Sequence, residues 1–278
     1  MTETIPSPLQ YPGGKNWLFK HFIGHLPIGT KKIVSPFLGG GTIEWNLAAR
    51  GIQVYAYDIC PYLVNFWKHW VQKTSEVEDE AKLVLEDYSY ETLSHIKMNF
   101  EYTGFFGAVL YYACNRVSFG SLTLQSSHVK HFEKIDGIFY YPLYQNQTVR
   151  RKLFPHSERW RDFPIVPLHV ECLEFKTSLQ KHPNIFAYLD PPYSETEDLY
   201  GLKTFDHIGL AGILWERPNW ILSYSDRPLI RKLYEGYHTI SMKGKNFKTG
   251  KKTSKELLIF SHDIACRLQT KPEQLRLL

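Results

Sequence analysis

Residues 33–58 read IVSPFLGGGTIEWNLAARGIQVYAYD, and this stretch decides the fold. The apolar segment Ile33-Val34-Ser35-Pro36-Phe37 runs into three glycines, Gly39-Gly40-Gly41, and Thr42 to Arg50 then carries the spacing of a helix that stops at Gly51. A second apolar segment, Gln53-Val54-Tyr55-Ala56-Tyr57, follows at once and ends on Asp58. Strand, tight turn, helix and strand within about 30 residues predict a right-handed parallel crossover. Three glycines between strand and helix let the main chain approach a ligand more closely than side chains would permit. Asp58, 17 residues past Gly41, stands where an acid accepts hydrogen bonds from ribose hydroxyls. That pair leaves the nucleoside cofactor open, because nicotinamide and S-adenosylmethionine sites both place an acid on the ribose.

Further strands are expected at 185–189, 220–224 and 257–260, with a helix from Asp206 to Trp215 between the first two. The stretch from Glu76 to Glu101 reads as acidic and helical. From about Thr103 to Pro167, aromatic, basic and turn-forming residues mix without a long period. The expected organisation is therefore α/β: a Rossmann-like core built from residues 1–85 and 170–278, interrupted by an insert at 86–169. At 278 residues, 43% hydrophobic and 22% charged, the chain can bury a large core, which excludes disordered, collagen-like and disulfide-stapled classes. Cys60, Cys114, Cys172 and Cys266 lie far apart with no CxxC pair, poor spacing for zinc. His128 and His131 are spaced like a metal pair but lack neighbouring ligand types, so no metal is expected. No run approaches the roughly 18 apolar residues of a membrane span, and residues 1–6 carry neither the basic start nor the apolar segment of a secretion signal. A cytoplasmic protein without a membrane partner is expected. The net charge of +5 permits nucleic acid, and an aromatic content of 15% supplies rings that can stack on bases, although most such rings fill cores.

Asp190-Pro191-Pro192-Tyr193 comes directly after the apolar strand 185–189, and in an open parallel sheet the carboxyl ends of strands form the ligand crevice. Two successive prolines lack N–H donors and hold an extended turn, so the Asp190 carboxylate and the Pro191 carbonyl offer acceptors without competing donors. An aromatic amine needs such a corner. Its lone pair is delocalised into the ring, and accepting both N–H protons localises it for attack on a methyl donor. Tyr193 then serves as a stacking platform for a base swung out of its helix. The plainer alternative is a strand terminator. Gly13-Gly14-Lys15 lacks the rest of a phosphate loop, since Asn16 follows the lysine.

Taken in order, Tyr11-Pro12-Gly13-Gly14-Lys15, Phe37-Leu38-Gly39-Gly40-Gly41, Asp58 and Asp190-Pro191-Pro192-Tyr193 resemble the motifs of the Dam-type (D12 class, alpha group) DNA adenine-N6 methyltransferases. Tyr200 with Phe205-Asp206-His207, Ser223-Tyr224-Ser225-Asp226 and Lys255-Glu256-Leu257-Leu258-Ile259 extend the resemblance over nearly the whole chain. It implies a site-specific, S-adenosyl-L-methionine-dependent enzyme with a methyltransferase core and a target-recognition insert, acting on double-stranded DNA by base flipping and direct in-line transfer. It implies cofactor-binding roles for Tyr11, Lys15, Phe37, Gly39, Gly41, Asp58, Phe175 and Asp190, and a catalytic role for Asp190, Pro191, Pro192 and Tyr193. Glu174 departs from the family's Asp before Phe175. Ser35 replaces a frequent Glu, and with Glu44 one helical turn after the glycines the partner of the methionine amino group stays open. A nucleoid-associated enzyme of bacterial or phage origin is implied, with a cognate restriction endonuclease as a candidate partner.

Arg116 is read as a phosphate or base-edge contact, Phe119 as a wedge between bases or an ordinary core residue, and Arg150, Arg151 and Lys152 as phosphate contacts. Arg159, Arg161 and the lysines at 243, 245, 248, 251 and 252 form further basic clusters. The alternatives are methylation of another planar amine (cytosine N4, adenine in RNA, a protein glutamine amide), a non-catalytic DNA-binding relative, and a nicotinamide dehydrogenase.

Overall fold

The structure is a computed structural model and describes residues 4–11, 15–118, 133–135, 138–140, 146–193, 205–243 and 255–269. The strands are β1 (Lys32–Ser35), β2 (Gln53–Asp58), β3 (Glu133–Ile135), β4 (Ile138–Tyr140), β5 (Leu168–Cys172), β6 (Phe186–Leu189), β7 (Trp220–Ser225), β8 (His238–Lys243) and β9 (Lys255–Phe260). The helices are α1 (Asn16–His25), α2 (Thr42–Ala48), α3 (Pro61–Trp70), α4 (Thr74–Asp87), α5 (Tyr90–Asn99), α6 (Gly104–Val117), α7 (Gln147–Leu153), α8 (Ser157–Trp160), α9 (Phe175–Lys181), α10 (His207–Glu216), α11 (Pro228–Leu233) and α12 (His262–Gln269).

Seven strands form one sheet in the order β5-β2-β1-β6-β7-β9-β8. From β5 to β7 every pairing is parallel, and β9 then enters antiparallel between β7 and β8. The order reverses between β1 and β6, the switch point at which open α/β sheets bind ligands beyond the carboxyl ends of their strands. Both faces are covered, so the central strands read as continuous apolar runs; all four residues of β6 are buried.

Alternate residues along each strand enter opposite cores. Ile33, Val54, Ala56, Phe186, Tyr188, Ile221, Leu258 and Phe260 join the core under α1, α2 and α3. Val34, Tyr57, Ala187, Leu189, Leu222, Leu257 and Ile259 join the core that also holds Leu179 of α9, Leu210 and Leu214 of α10 and Ile230 of α11.

The expected β-α-β unit is present, with β1 and β2 paired from Lys32↔Gln53 to Ser35↔Ala56. The acidic stretch is two helices: the chain leaves α4 at Tyr88, and Ser89 caps α5 by accepting from the Thr92 amide at 3.2 Å. Beyond its first turn α6 shows no amphipathic period because it has no wet side there, every residue from Gly107 to Val117 being buried.

The expected insert at 86–169 is not bounded by loops. The step from 85 to 86 falls inside α4 and that from 169 to 170 inside β5. Leu93, Leu110, Tyr112, Leu153 and Trp160 also share one core with α1 to α3, so the described part of 86–169 has no separate interior. Much of the aromatic excess sits there: Trp45 stacks on Phe163 at 4.7 Å, Phe66 on Tyr112 at 5.6 Å, and Trp70 meets Trp160 edge-on at 5.6 Å.

Gly39 and Gly41 adopt positive φ, +47° and +62°, and Gly41 opens α2. A Cβ on Gly41 would lie 2.5 Å from the ring of Trp67, which is fully buried and has no room to retreat. Gly41→Ala combines left-handed backbone strain with this overlap, and urea unfolding should register a loss of about 2–4 kcal/mol. An unchanged midpoint would contradict this packing.

Candidate active site at the carboxyl edge of the sheet

The two-residue period of the strands assembles the site. Ser35, Asp58, Ser223 and Glu256 fall on the parity that faces the α1–α3 core, all at the carboxyl edge, and Asp190 continues the same parity one residue beyond β6. Glu256 reaches that edge because β9 runs antiparallel, setting Glu256 opposite Ser225. A side chain at the rim of a core is largely dry yet next to the crevice, and there these polar residues meet.

Lys15, which precedes α1, is buried and ties them together. Its Nζ lies 2.5 Å from Glu256 Oε1 and 3.2 Å from Asp190 Oδ1, and it donates to the Tyr193 hydroxyl. The Ser223 hydroxyl donates to Glu256 Oε1 at 2.7 Å, and the Tyr193 hydroxyl contacts the same oxygen and lies 3.2 Å from Asp190 Oδ1. Burial disfavours the Lys15 charge, but Asp190 and Glu256 outweigh it and hold Lys15 above the ordinary lysine range. Burial, with Glu256 nearby, raises Asp190 above the usual aspartate range, while Lys15 draws it back. The Asp190 side chain remains 23% exposed, so this ion-paired carboxylate is open to the crevice.

A second buried carboxylate, Glu44 of α2, accepts from the Ser35 hydroxyl at 2.6 Å. Burial pushes its pKa up to about 8, with Asp190 and Asp58 adding to the shift. Asp58 accepts from the Gly39 amide at 2.9 Å and the Cys60 amide at 3.0 Å, which fixes the glycine turn to the end of β2. Burial raises Asp58 as well. The Tyr11 side chain lies against this turn, its Cβ 2.8 Å from where a Cβ on Gly40 would be. At the same edge, half-buried Phe37, Phe175 and Phe205 contact one another with centroids 5.3–5.7 Å apart. Among the described residues here, carboxylates thus outnumber the buried lysine, beside a glycine turn and three rings. Such a site favours a ligand that is cationic and partly aromatic.

Compared with known families, residues 11–246 match the D12 class N6 adenine-specific DNA methyltransferases. The chain belongs to this family. A search among curated proteins gave no match. The enzyme transfers a methyl group to the N6 amino group of adenine in DNA. Among the described residues no helix is long and apolar enough to cross a membrane, and no group of three or more His, Cys, Asp or Glu could hold a metal ion.

Within the methyltransferase, Tyr11, Lys15, Phe37, Gly39, Gly41, Asp58, Phe175, Asp190, Pro191, Pro192 and Tyr193 all lie at the carboxyl edge. Tyr193 differs from an open platform. Its hydroxyl sits in the ion cluster, its ring stacks on Tyr224 at 5.7 Å, and Lys15 Nζ lies 4.7 Å from its centroid. Glu256, Ser223 and Phe205 also belong to the site; they stand far apart in sequence, and only the sheet register brings them together. Asp206 is a helix cap, accepting from the Gly209 amide at 2.8 Å and pairing with Lys176 at 2.8 Å.

Arg116 corrects the sequence reading. It is buried, its Nε donating to the Leu153 carbonyl at 2.5 Å and its Nη1 to the Pro8 carbonyl at 3.1 Å, so these two donors face protein carbonyls and not a DNA surface. Arg150, Arg151 and Lys152 are exposed on α7. Pro12, Gly13, Gly14, Phe119, Gly120, His128, His131, Tyr200 and the lysines at 245, 248, 251 and 252 lie outside the described residues.

Proposed function

We propose that the methyltransferase binds S-adenosyl-L-methionine at this edge and methylates a flipped adenine held at Asp190. The observation that carries the reading is the Asp190 carboxylate, fixed by Lys15 at the switch point yet open to the crevice. When bound, the cofactor supplies a sulfonium-activated methyl group. Asp58 suits the ribose hydroxyls, the Phe37, Phe175 and Phe205 rings suit the cofactor adenine, and Glu44 suits the α-ammonium. The surplus of buried carboxylates supports a cationic ligand over an anionic one.

For the substrate, Asp190 and the Pro191 carbonyl accept the two N6 protons and so localise the nitrogen lone pair. Transfer would break the methyl–sulfur bond as the N6–methyl bond formed, leaving a neutral thioether, and N6 would then shed a proton that Asp190, whose proton affinity is already raised, is placed to receive. Release of the Tyr193 hydroxyl from the ion cluster would free its ring to stack on the base. No covalent enzyme intermediate is required, because N6 is itself the nucleophile. Residues 86–169 are assigned to target recognition, with Arg150, Arg151 and Lys152 on phosphates, and the enzyme to a cytoplasmic setting.

Two outcomes are expected. Long-read sequencing of DNA from cells expressing the protein should reveal N6-methyladenine at one sequence motif, abolished in an Asp190→Ala control; methylation that persists in the control would overturn the role of the carboxylate. Below pH 8 Glu44 holds a proton that it must shed to receive an ammonium group. Affinity for S-adenosylmethionine should therefore rise about tenfold per pH unit from pH 6 to 7 and level off above about 8. Glu44→Gln should flatten that slope and spare binding of 5′-methylthioadenosine, which has no ammonium; equal loss of both ligands would contradict the assignment.

A further inference from the structure

Residues 4–11 form a strap across the core, held by side chains from two helices. Asn46 of α2 accepts from the Ile5 amide at 2.8 Å and donates to the Ile5 carbonyl at 2.7 Å. Asn115 of α6 does the same at Gln10, accepting from its amide at 2.9 Å and donating to its carbonyl at 2.8 Å. Each asparagine satisfies both backbone groups of one residue, as a neighbouring strand would. Between these two points Ser7 donates to the Gly40 carbonyl, Arg116 Nη1 donates to the Pro8 carbonyl, and Leu9 is buried in the core. The strap ends at Tyr11, whose side chain covers Gly39 and Gly40, and Lys15 of the ion cluster follows four residues later.

We infer that Asn115 and Arg116 are positioning residues for the cofactor side of the site: they seat the strap and thereby set Tyr11 over the glycine turn. This rests on the cofactor reading above. Both residues are buried, Asn115 with both polar atoms on Gln10 and Arg116 with Nε and Nη1 on the Leu153 and Pro8 carbonyls, which turns them toward the strap and α7 and away from solvent. The same pair ties the strap to Leu153, at the end of the helix that carries Arg150, Arg151 and Lys152.

The consequence is a linked equilibrium. If the cofactor binds only when the strap is seated, weakening the seat lowers the competent fraction and raises the apparent dissociation constant in proportion. Saturating cofactor reseats the strap, so turnover recovers.

Asn115→Leu keeps the side-chain size and removes both hydrogen bonds to Gln10. We expect its KM for S-adenosylmethionine to rise about tenfold, kcat at saturating cofactor to stay within about twofold, and DNA affinity and its salt slope to match wild type. In an Arg150→Ala, Arg151→Ala, Lys152→Ala variant the DNA salt slope should fall instead, which calibrates the readout. Hydrogen exchange should quicken at residues 4–11 of Asn115→Leu and stay slow in β6 and β7. Weaker DNA binding with an unchanged cofactor KM would overturn the inference in favour of a DNA contact. Unaltered kinetics, or protection lost throughout the sheet, would overturn it in favour of no role or a merely structural one. Failure of wild type itself to bind the cofactor would sink the underlying reading instead, so the two failures are distinguishable.

Discussion

The contact among Lys15, Asp190 and Glu256 is the constraint on which the rest of the site depends. Two carboxylates at the rim of a core are costly, and only a cation held between them makes the arrangement tolerable. The lysine comes from the start of the chain, the aspartate from the end of β6 and the glutamate from β9, so the cluster forms only once the sheet has closed in its observed order. Within it Lys15 favours the charged form of Asp190 against burial and Glu256, and it orients the carboxylate while leaving it open, as a hydrogen-bond acceptor for an amine requires.

The sheet's parity supplies these groups. A strand of alternating period sends every second residue to the same face, and at the carboxyl ends of β1, β2, β6 and β7 and the amino end of antiparallel β9 the core-facing positions are Ser35, Asp58, Asp190, Ser223 and Glu256. Deeper along the same rows lie Ile33, Ala56, Tyr188, Ile221 and Leu258. The switch from apolar to polar along each row marks where the core ends and the crevice begins. Chemistry and packing are thus set by the same geometry.

Much of this is legible in the sequence wherever the signal is local. The β-α-β unit, the glycine turn and the acids at the ends of β2 and β6 each depend on neighbours within a few residues. What lies beyond is set by pairing at long range. Glu256 is a strand residue like any other until antiparallel pairing carries it to the carboxyl edge, and Glu44 looks like a surface acid of a short helix until Ser35 and the core enclose it. α6 escapes because a helix buried all round beyond its first turn carries no period. Arg116 was misread because a basic residue beside turn formers suggests a surface, whereas here it serves protein carbonyls in the interior. The aromatic excess packs helices such as α3 and α6 together, as expected of most such rings.

Asp190 is tuned by its two charged neighbours in opposite senses. The most direct test is the pH dependence of single-turnover methyl transfer at saturating cofactor, compared among wild type, Lys15→Met and Glu256→Gln. Loss of the cation should move the acid limb of the profile to higher pH, and loss of the neighbouring carboxylate should move it to lower pH. An acid limb that stays in one place in all three proteins would contradict the account.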